Sequence, residues 1–223
     1  MILSGHQPVY LPGIVVMNKI ALSDRFMLVG HCDYQRRSWH TRNYIRGAGT
    51  PLLLTVPVNV GKTINDTIPM ADMHWRTKHL RSIELAYQGR PFFKDYFPDL
   101  EKLLCQTYCS LTDLNKSLIF WLMDCLGIDT PVFMSEDFNI VGHKTAMLVD
   151  MCRAMGADHY LSSPGELYVD KALMNGYAHS FQEFAHTVYD QGDEFMPNLS
   201  VIDLLINMGP KSAAIVRDCG NVG

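Results

Sequence analysis

The sequence predicts an α/β fold with a mostly parallel, Rossmann-like, doubly wound sheet, and three observations carry that prediction. A strand, a polar loop, a helix and a second strand follow one another in roughly the first thirty residues, the order of a right-handed βαβ unit. The same alternation of strand and helix returns in the last third of the chain. Between the two, residues 72–127 read almost wholly as helix and are expected to form a helical insert packed beside the sheet. The 223 residues are read as one domain, 1–223, with a helical subdomain around 72–127. A chain of that length can bury a full core.

Residues 2–4 read as a short buried strand. Pro8 and Pro12 forbid an ordinary helix between them, so "HQPVYLP" is a loop. Residues 14–22 read as a helix and residues 25–30 as a second buried strand. "HCDYQRRSWHTRNYIR" follows, with Asp33 and Gln35 expected at the end of strand 2. "PLLLTVPVNV" reads as a strand whose prolines suggest an edge or a bulge. Gly61-Lys62-Thr63 lacks the earlier glycine of a phosphate-binding loop, because Val56 stands there. Trp75, His79, Ile83 and Ala86 have helical spacing, and residues 96–105 and 114–126 are amphipathic. "TPVFMSED" is a strand, residues 144–155 are a helix stopped by Gly156, and "DHYLSSPGELYVD" is a strand running into a loop of small residues around Ser163. "SFQEFAHTVYDQ" is a late strand. "PNLSVIDLLINMGP" is a helix capped by Asn198 or Ser200.

Composition narrows the function. The net charge of −4 provides no global positive field, so no nucleic-acid partner is expected. The longest apolar runs are far short of the roughly 20 residues of a membrane span. The start has neither a basic segment nor a long apolar one, and a cytoplasmic location is expected. None of the six cysteines forms a CxxC pair. Cys105 and Cys109 are expected on one helix face, with no histidine at zinc spacing, so no metal site is assigned. The sequence identifies no cofactor.

Ligands of parallel α/β sheets bind at the carboxyl ends of the strands. The opening loop leaves strand 1 at that rim. His6 there can act as a general base near neutral pH, and Gln7 and Tyr10 can orient a substrate. Alternatively, these residues satisfy buried backbone groups in a proline-bent loop. Asp33 could orient His6 or bind a hydroxyl, or serve as a turn cap. Gln35, Arg37, Trp39, Arg42 and Asn43 form a basic, aromatic segment after strand 2, either a ligand-facing surface or a solvated hairpin. His186, Tyr189 and Gln191 end the late strand and could face the same cleft. Ser200, Asp203 and Asn207 share one face of the last helix. They point into a site or into a buried network. Cys32 lies beside His31 and Asp33 as a candidate thiol nucleophile, although neighbours in a strand point to opposite faces.

Several segments together resemble one family: "HQPVYLP", "NKIALSD", "DYQRRSWHTRNYI" with "LTVPV", "GADHYLSSPGELYVD" and "HTVYDQGDEFMPNLSVIDLLINMGP". In this order, over nearly the whole chain, they are similar to the WbqC-like proteins, bacterial proteins often encoded in polysaccharide (O-antigen type) clusters. Two departures stand out: Gly13 where the family often has Trp, and His186-Thr187 where it often has His-Pro. The resemblance implies a transferase that acylates or aminoacylates an amino group of a nucleotide-linked sugar. Its partners would be a phosphorylated or nucleotide-linked sugar and an acyl donor or acyl carrier. On that reading His6 frees the amine, with Asp33 and His186 as further catalytic candidates. Arg37, Arg42 and Asn43 would hold a phosphate or pyrophosphate. Gln7, Tyr10, Gln35, Trp39, Ser163, Tyr189, Gln191, Asn198, Ser200, Asp203 and Asn207 would complete the substrate site. Two other readings stay open. A nucleotidylyltransferase would also begin with a strand, a histidine-bearing loop and a helix, but this chain lacks the second histidine and the Gly-His pair that follow. A non-enzymatic partner in a biosynthetic complex would use the polar rim for docking.

Overall fold

Parallel strand pairing dominates the computed structural model, which describes residues 1–140, 142–165, 169–170 and 172–223. The strands of its largest sheet are β1 (Ile2–His6), β2 (Arg25–Leu28), β7 (Val132–Met134), β8 (His159–Ser162), β9 (Ala178–Phe184) and β10 (Gly220–Val222). Their order across the sheet is β7-β2-β1-β8-β9-β10. All pairs are parallel except β9 with β10, which closes the edge antiparallel. The chain builds outward from β1 through β2 to β7, then returns to the other side of β1 with β8. The strand order therefore reverses between β1 and β8.

Strand alternation gives the sheet two faces. Leu3, Met27 and Tyr160 face α5 (Thr145–Met155), which buries Leu148, Met151, Cys152 and Met155 against them. Those four recur at the spacing of one helix face. Ser4, Phe26 and Leu28 lie on the opposite face, where Phe26 and Leu28 join Met17 and Ile20 of α1 (Ile14–Ala21) in the larger core. Helices α6 (Val201–Met208) and α7 (Ser212–Asp218) complete that layer, together with the insert α2 (His74–Tyr87), α3 (Phe93–Cys105) and α4 (Leu111–Leu126). Helix ends follow side-chain chemistry. Ser110 Oγ accepts from Asp113 N at 3.0 Å at the start of α4, and Gly127, at φ 58°, ends it. Gly156, at φ 63°, ends α5 as its sequence predicts.

Several expectations need correction. "PLLLTVPVNV" is not one strand. It gives β4 (Leu52–Thr55), paired with β3 (Arg42–Ile45), and β5 (Val58–Asn59), paired with β6 (Ile68–Pro69). Pro57, which cannot donate a ladder hydrogen bond, separates the two ribbons. Asp33 and Gln35 do not end strand 2. That strand stops at Leu28, and Asp33 makes only an isolated bridge to Thr63. The late strand stops at Phe184, short of His186. Cys105 ends α3 and Gln106 turns extended, so Cys109 shares no helix with it. Residues 166–168 of the "GADHYLSSPGELYVD" segment lie outside the described residues.

Asn115 of α4 joins the insert to the rim of the sheet. Its fully buried amide donates to Pro8 O at 3.2 Å and to His40 O at 2.9 Å, bridging the loops after β1 and β2. Asn115→Ala leaves both carbonyls without this donor and is expected to cost about 1–3 kcal/mol. Urea unfolding measures it. A loss below about 0.5 kcal/mol, the range of ordinary surface changes, would mean that water replaces the amide and the bridge is dispensable.

Candidate functional site

The opening loop leaves β1 at His6 and is built into the core instead of lying over it. Val9, Tyr10 and Leu11 are buried, and Leu11 adopts φ 43°, a left-handed backbone rarely taken by a branched apolar residue. Other elements satisfy the loop's polar groups. Tyr10 N donates to Trp39 O at 3.0 Å, and Asn43 Nδ2 donates to Leu11 O at 2.6 Å. Tyr10 OH lies 2.9 Å from His79 Nδ1. The loop enters α1 at Gly13, whose φ −80° and ψ 170° are open to any residue. A Cβ there would meet nothing closer than Leu199 O at 3.6 Å.

Two cavities meet at the end of β1. A cleft of about 590 Å³ lies on the α1 side, lined by His6, Gly13, the first turn of α1, Trp39, Asn43, Tyr44, Phe184, His186 and Asn198. A smaller cavity of about 240 Å³ lies on the α5 side, between Gly5, His6, Gln7, Val29, Met147, Leu148, Met151 and Tyr160. Among the described residues lining the two, His6 is the one they share. Mostly apolar walls with a few convergent polar groups are the usual make-up of a small-molecule site. A groove of about 660 Å³ continues the larger cleft past Tyr44 and Asn198 along residues 194–198.

Hydrogen bonding sets the tautomers. His6 Nδ1 lies 2.7 Å from Gln7 O, which can only accept, so Nδ1 carries the proton and the lone pair of the neutral ring is on Nε2. Gln7 Oε1 is 2.7 Å from Nε2 of the buried His40. Burial first, then the charge of His6, lowers the His40 pKa to about 4. Burial likewise brings His79 to about 4, against a smaller opposing effect of its bond to Thr55 O. Both rings are thus neutral at pH 7. Burial also raises the Cys32 thiol, which disfavours the thiolate a nucleophile needs.

His6, Trp39, Asn43, His186 and Asn198 are brought together by the cleft. Arg42 does not line it, but its guanidinium carbon lies 5.9 Å from the centre of the Trp39 ring, which does. Gln7 belongs to the smaller cavity. Ser163 accepts from Lys19 Nζ at 2.8 Å at the strand-order reversal. Asp33, Gln35 and Arg37 are exposed in the loop after β2 and line neither cavity. Tyr10 is wholly enclosed.

The polar residues near the last helix converge on a buried network. Asp203 accepts from Tyr87 OH at 2.9 Å, Tyr189 OH at 2.8 Å and Gln191 Nε2 at 2.9 Å. Arg46 Nε stands 4.0 Å from it, and Arg46 Nη2 donates to Gln191 Oε1. Burial raises the Asp203 pKa, while the two tyrosines, Arg46 and Gln191 hold it down. Ser200 caps α6, accepting from Ile202 N, and Asn207 Nδ2 donates to Asp203 O at 2.8 Å. Arg46, read from the sequence as part of the anion-binding segment, is instead held by Gln191, Glu194 O and Asp203, and Tyr87, Lys19, His40 and Asn115 are structural partners that sequence reading missed. Lys19 left a trace in the sequence, interrupting with Asn18 the apolar run of α1. The others carried no local signal.

Fold and site thus define an α/β protein whose parallel strands end at a ligand-sized cleft. A family model described as "WbqC-like protein family" matches residues 7–215, and the chain belongs to that family. The chain is 27% identical over 220 residues to a protein of Mycobacterium tuberculosis (strain ATCC 25618 / H37Rv) named "Uncharacterized protein Rv1507c", covering 94% of this chain and 95% of that one. No solved structure matches. Among the described residues, no helix is long and apolar enough to cross a membrane.

The two buried histidines fix the sign of a pH effect. Their pKa values fall to about 4 on folding, so the unfolded chain binds more protons between the ordinary histidine value and about 4. Stability should be full above about pH 6.5 and decline as pH falls towards 4. Urea midpoints at pH 7, 6, 5 and 4.5 test this. In the double variant His40→Gln, His79→Gln the decline should be shallower. A native protein with the same midpoint at pH 7 and 4.5 would contradict the assignment.

Proposed function

We propose that this protein is a transferase that places an acyl or aminoacyl group on an amino group of a nucleotide-linked sugar, in bacterial polysaccharide biosynthesis. The observation that carries the reading is the position of His6, one side chain in the walls of two adjoining cavities at the end of β1. A group-transfer enzyme needs two substrates to meet at one proton acceptor. Membership of the WbqC-like family supports it, through the activity the resemblance implies. Two observations support a doubly wound, Rossmann-like domain spanning residues 1–223. Counted in chain order, the strands of the main sheet stand 3-2-1-4-5-6, and helices pack on both faces.

In the proposed step the sugar amine attacks the acyl carbonyl carbon. A C–N bond forms and the bond from that carbon to the donor's leaving group breaks. His6 Nε2 takes the proton that the amine loses, while the Gln7 carbonyl holds Nδ1–H and so keeps the ring aimed. The smaller cavity, walled by Val29, Met147, Leu148 and Met151, suits the acyl group. The larger cleft suits the sugar, with Arg42 nearby for its phosphates. Asp33, which lines neither cavity, receives no part in the step.

The test is to incubate the protein with acyl and aminoacyl thioesters and nucleotide-linked amino sugars, and to follow the mass increase of the sugar. His6→Ala should lower turnover by about 10²–10⁴-fold with little change in melting temperature. A large fall in melting temperature with turnover intact below the new midpoint would make His6 a structural residue and remove the basis of the proposal.

A further inference from the structure

The larger cleft has features that a sugar and an acyl group leave unused. Trp39 is a large aromatic side chain with 51% of its surface exposed, yet it is held from two sides. Tyr44 meets it edge-on, with ring centres 6.0 Å apart, and the Arg42 guanidinium lies 5.9 Å from its centre. An exposed indole fixed in this way is a ready surface for a flat ring. In the same cleft His186 Nε2 is 2.8 Å from Asn198 Oδ1. With the amide in that orientation, Nε2–H donates, leaving His186 Nδ1 as an acceptor and Asn198 Nδ2 as a donor. With the amide turned over, Asn198 donates to the ring, leaving a histidine N–H donor and the Asn198 oxygen as acceptor. Either way the pair keeps one donor and one acceptor beyond their mutual bond.

The backbone at this pair is specialised. Asn198 adopts φ 61°, a left-handed conformation that asparagine tolerates better than most residues and that tends to occur at functional sites. Gly13 contributes space. Its backbone is ordinary and a Cβ would fit, so the fold does not require glycine there. What glycine does is leave the cleft open. Among the described residues, no carboxylate lines the cleft.

We propose that this cleft binds the base of a nucleoside diphosphate, stacking it on Trp39 and hydrogen-bonding its polar edge with His186 and Asn198. The inference rests on the transferase reading for the identity of the ligand as a nucleotide-linked sugar, and adds which part of that ligand the protein recognises. A flat heterocycle that both donates and accepts complements the pair, and among the described residues no carboxylate in the cleft opposes the phosphates. His186 is then a binding residue, and the proton transfer belongs to His6 alone.

Titration calorimetry of the 223-residue chain tests this with UDP, dTDP, GDP and ADP as probes, beside inorganic pyrophosphate and N-acetylglucosamine. At least one nucleoside diphosphate should bind about ten-fold or more tightly than pyrophosphate. Trp39→Ala and Asn198→Gly, the latter keeping the left-handed backbone, should each weaken it by about ten-fold, the loss expected for one stacked ring or one reading contact. Melting temperatures confirm that each variant is folded, and a variant that fails to fold is replaced by Trp39→Leu or His186→Gln. Pyrophosphate binding as tightly as every diphosphate would overturn the proposal, as would nucleotide binding unchanged in both Trp39→Ala and Asn198→Gly. Binding of N-acetylglucosamine but of no nucleotide would also overturn it, while leaving acyl transfer to a sugar intact. Nucleotide binding as expected without any transfer would instead remove the transferase reading and leave this one standing.

Discussion

A buried loop must find partners for its peptide groups outside itself, and the segment from Gln7 to Gly13 is such a loop. It leaves the first strand of the sheet and dives under the helical insert, where water cannot reach its carbonyls. Asn43 from a ribbon strand, Asn115 from the insert and the backbone at Trp39 supply hydrogen bonds that a helix or sheet would have made internally. Those same bonds set the site. They draw the Trp39 segment against the opening loop, and they hold His6 and Gly13 at the two ends of one stiff connection. Pro8 and Pro12 limit the freedom that remains.

A second buried polar centre secures the other wall. Asp203 is enclosed, so its charge would be costly unless matched, and two tyrosine hydroxyls, a glutamine amide and the nearby Arg46 match it. Burial works against ionisation here and the hydrogen bonds work for it, which is why the residues act as a unit. Its members come from β3's end, α2, α6 and the stretch 189–191. The network therefore anchors the stretches on either side of Asn198 and positions the His186–Asn198 pair without touching the cleft. Polar residues in the last helix thus serve the site at one remove.

The meeting of two cavities at His6 follows from topology. Adjacent residues of a strand point to opposite faces, and β1 is central, with helices on both sides. Its last residue therefore stands at the top edge of the sheet, accessible from the α1 side and the α5 side together. Gly5, just before it, has no side chain where Met151 Cε crowds the strand, with a built Cβ only 2.4 Å away. That close approach sets the floor of the smaller cavity.

By itself the sequence determined the local elements. Short apolar runs and helical spacing located β1, β2, β7, β8, α1, α4, α5 and α6, and Gly156 stopped α5 because a left-handed backbone suits glycine. Strand-helix alternation also implied that the sheet is mostly parallel, and the opening motifs placed His6 at its rim. Those signals are local because they arise from neighbours in the chain. Tertiary structure alone decided that Tyr10, Tyr189 and Asp203 are enclosed while Trp39 is exposed, that Asp33 lies apart from the cleft, and that the ribbons break at Pro57. It also decided the roles of Asn115, Arg46 and His40, whose partners lie tens of residues away or more. Burial and hydrogen-bond partnership are properties of packed surfaces, and no spacing along the chain encodes which surfaces will meet.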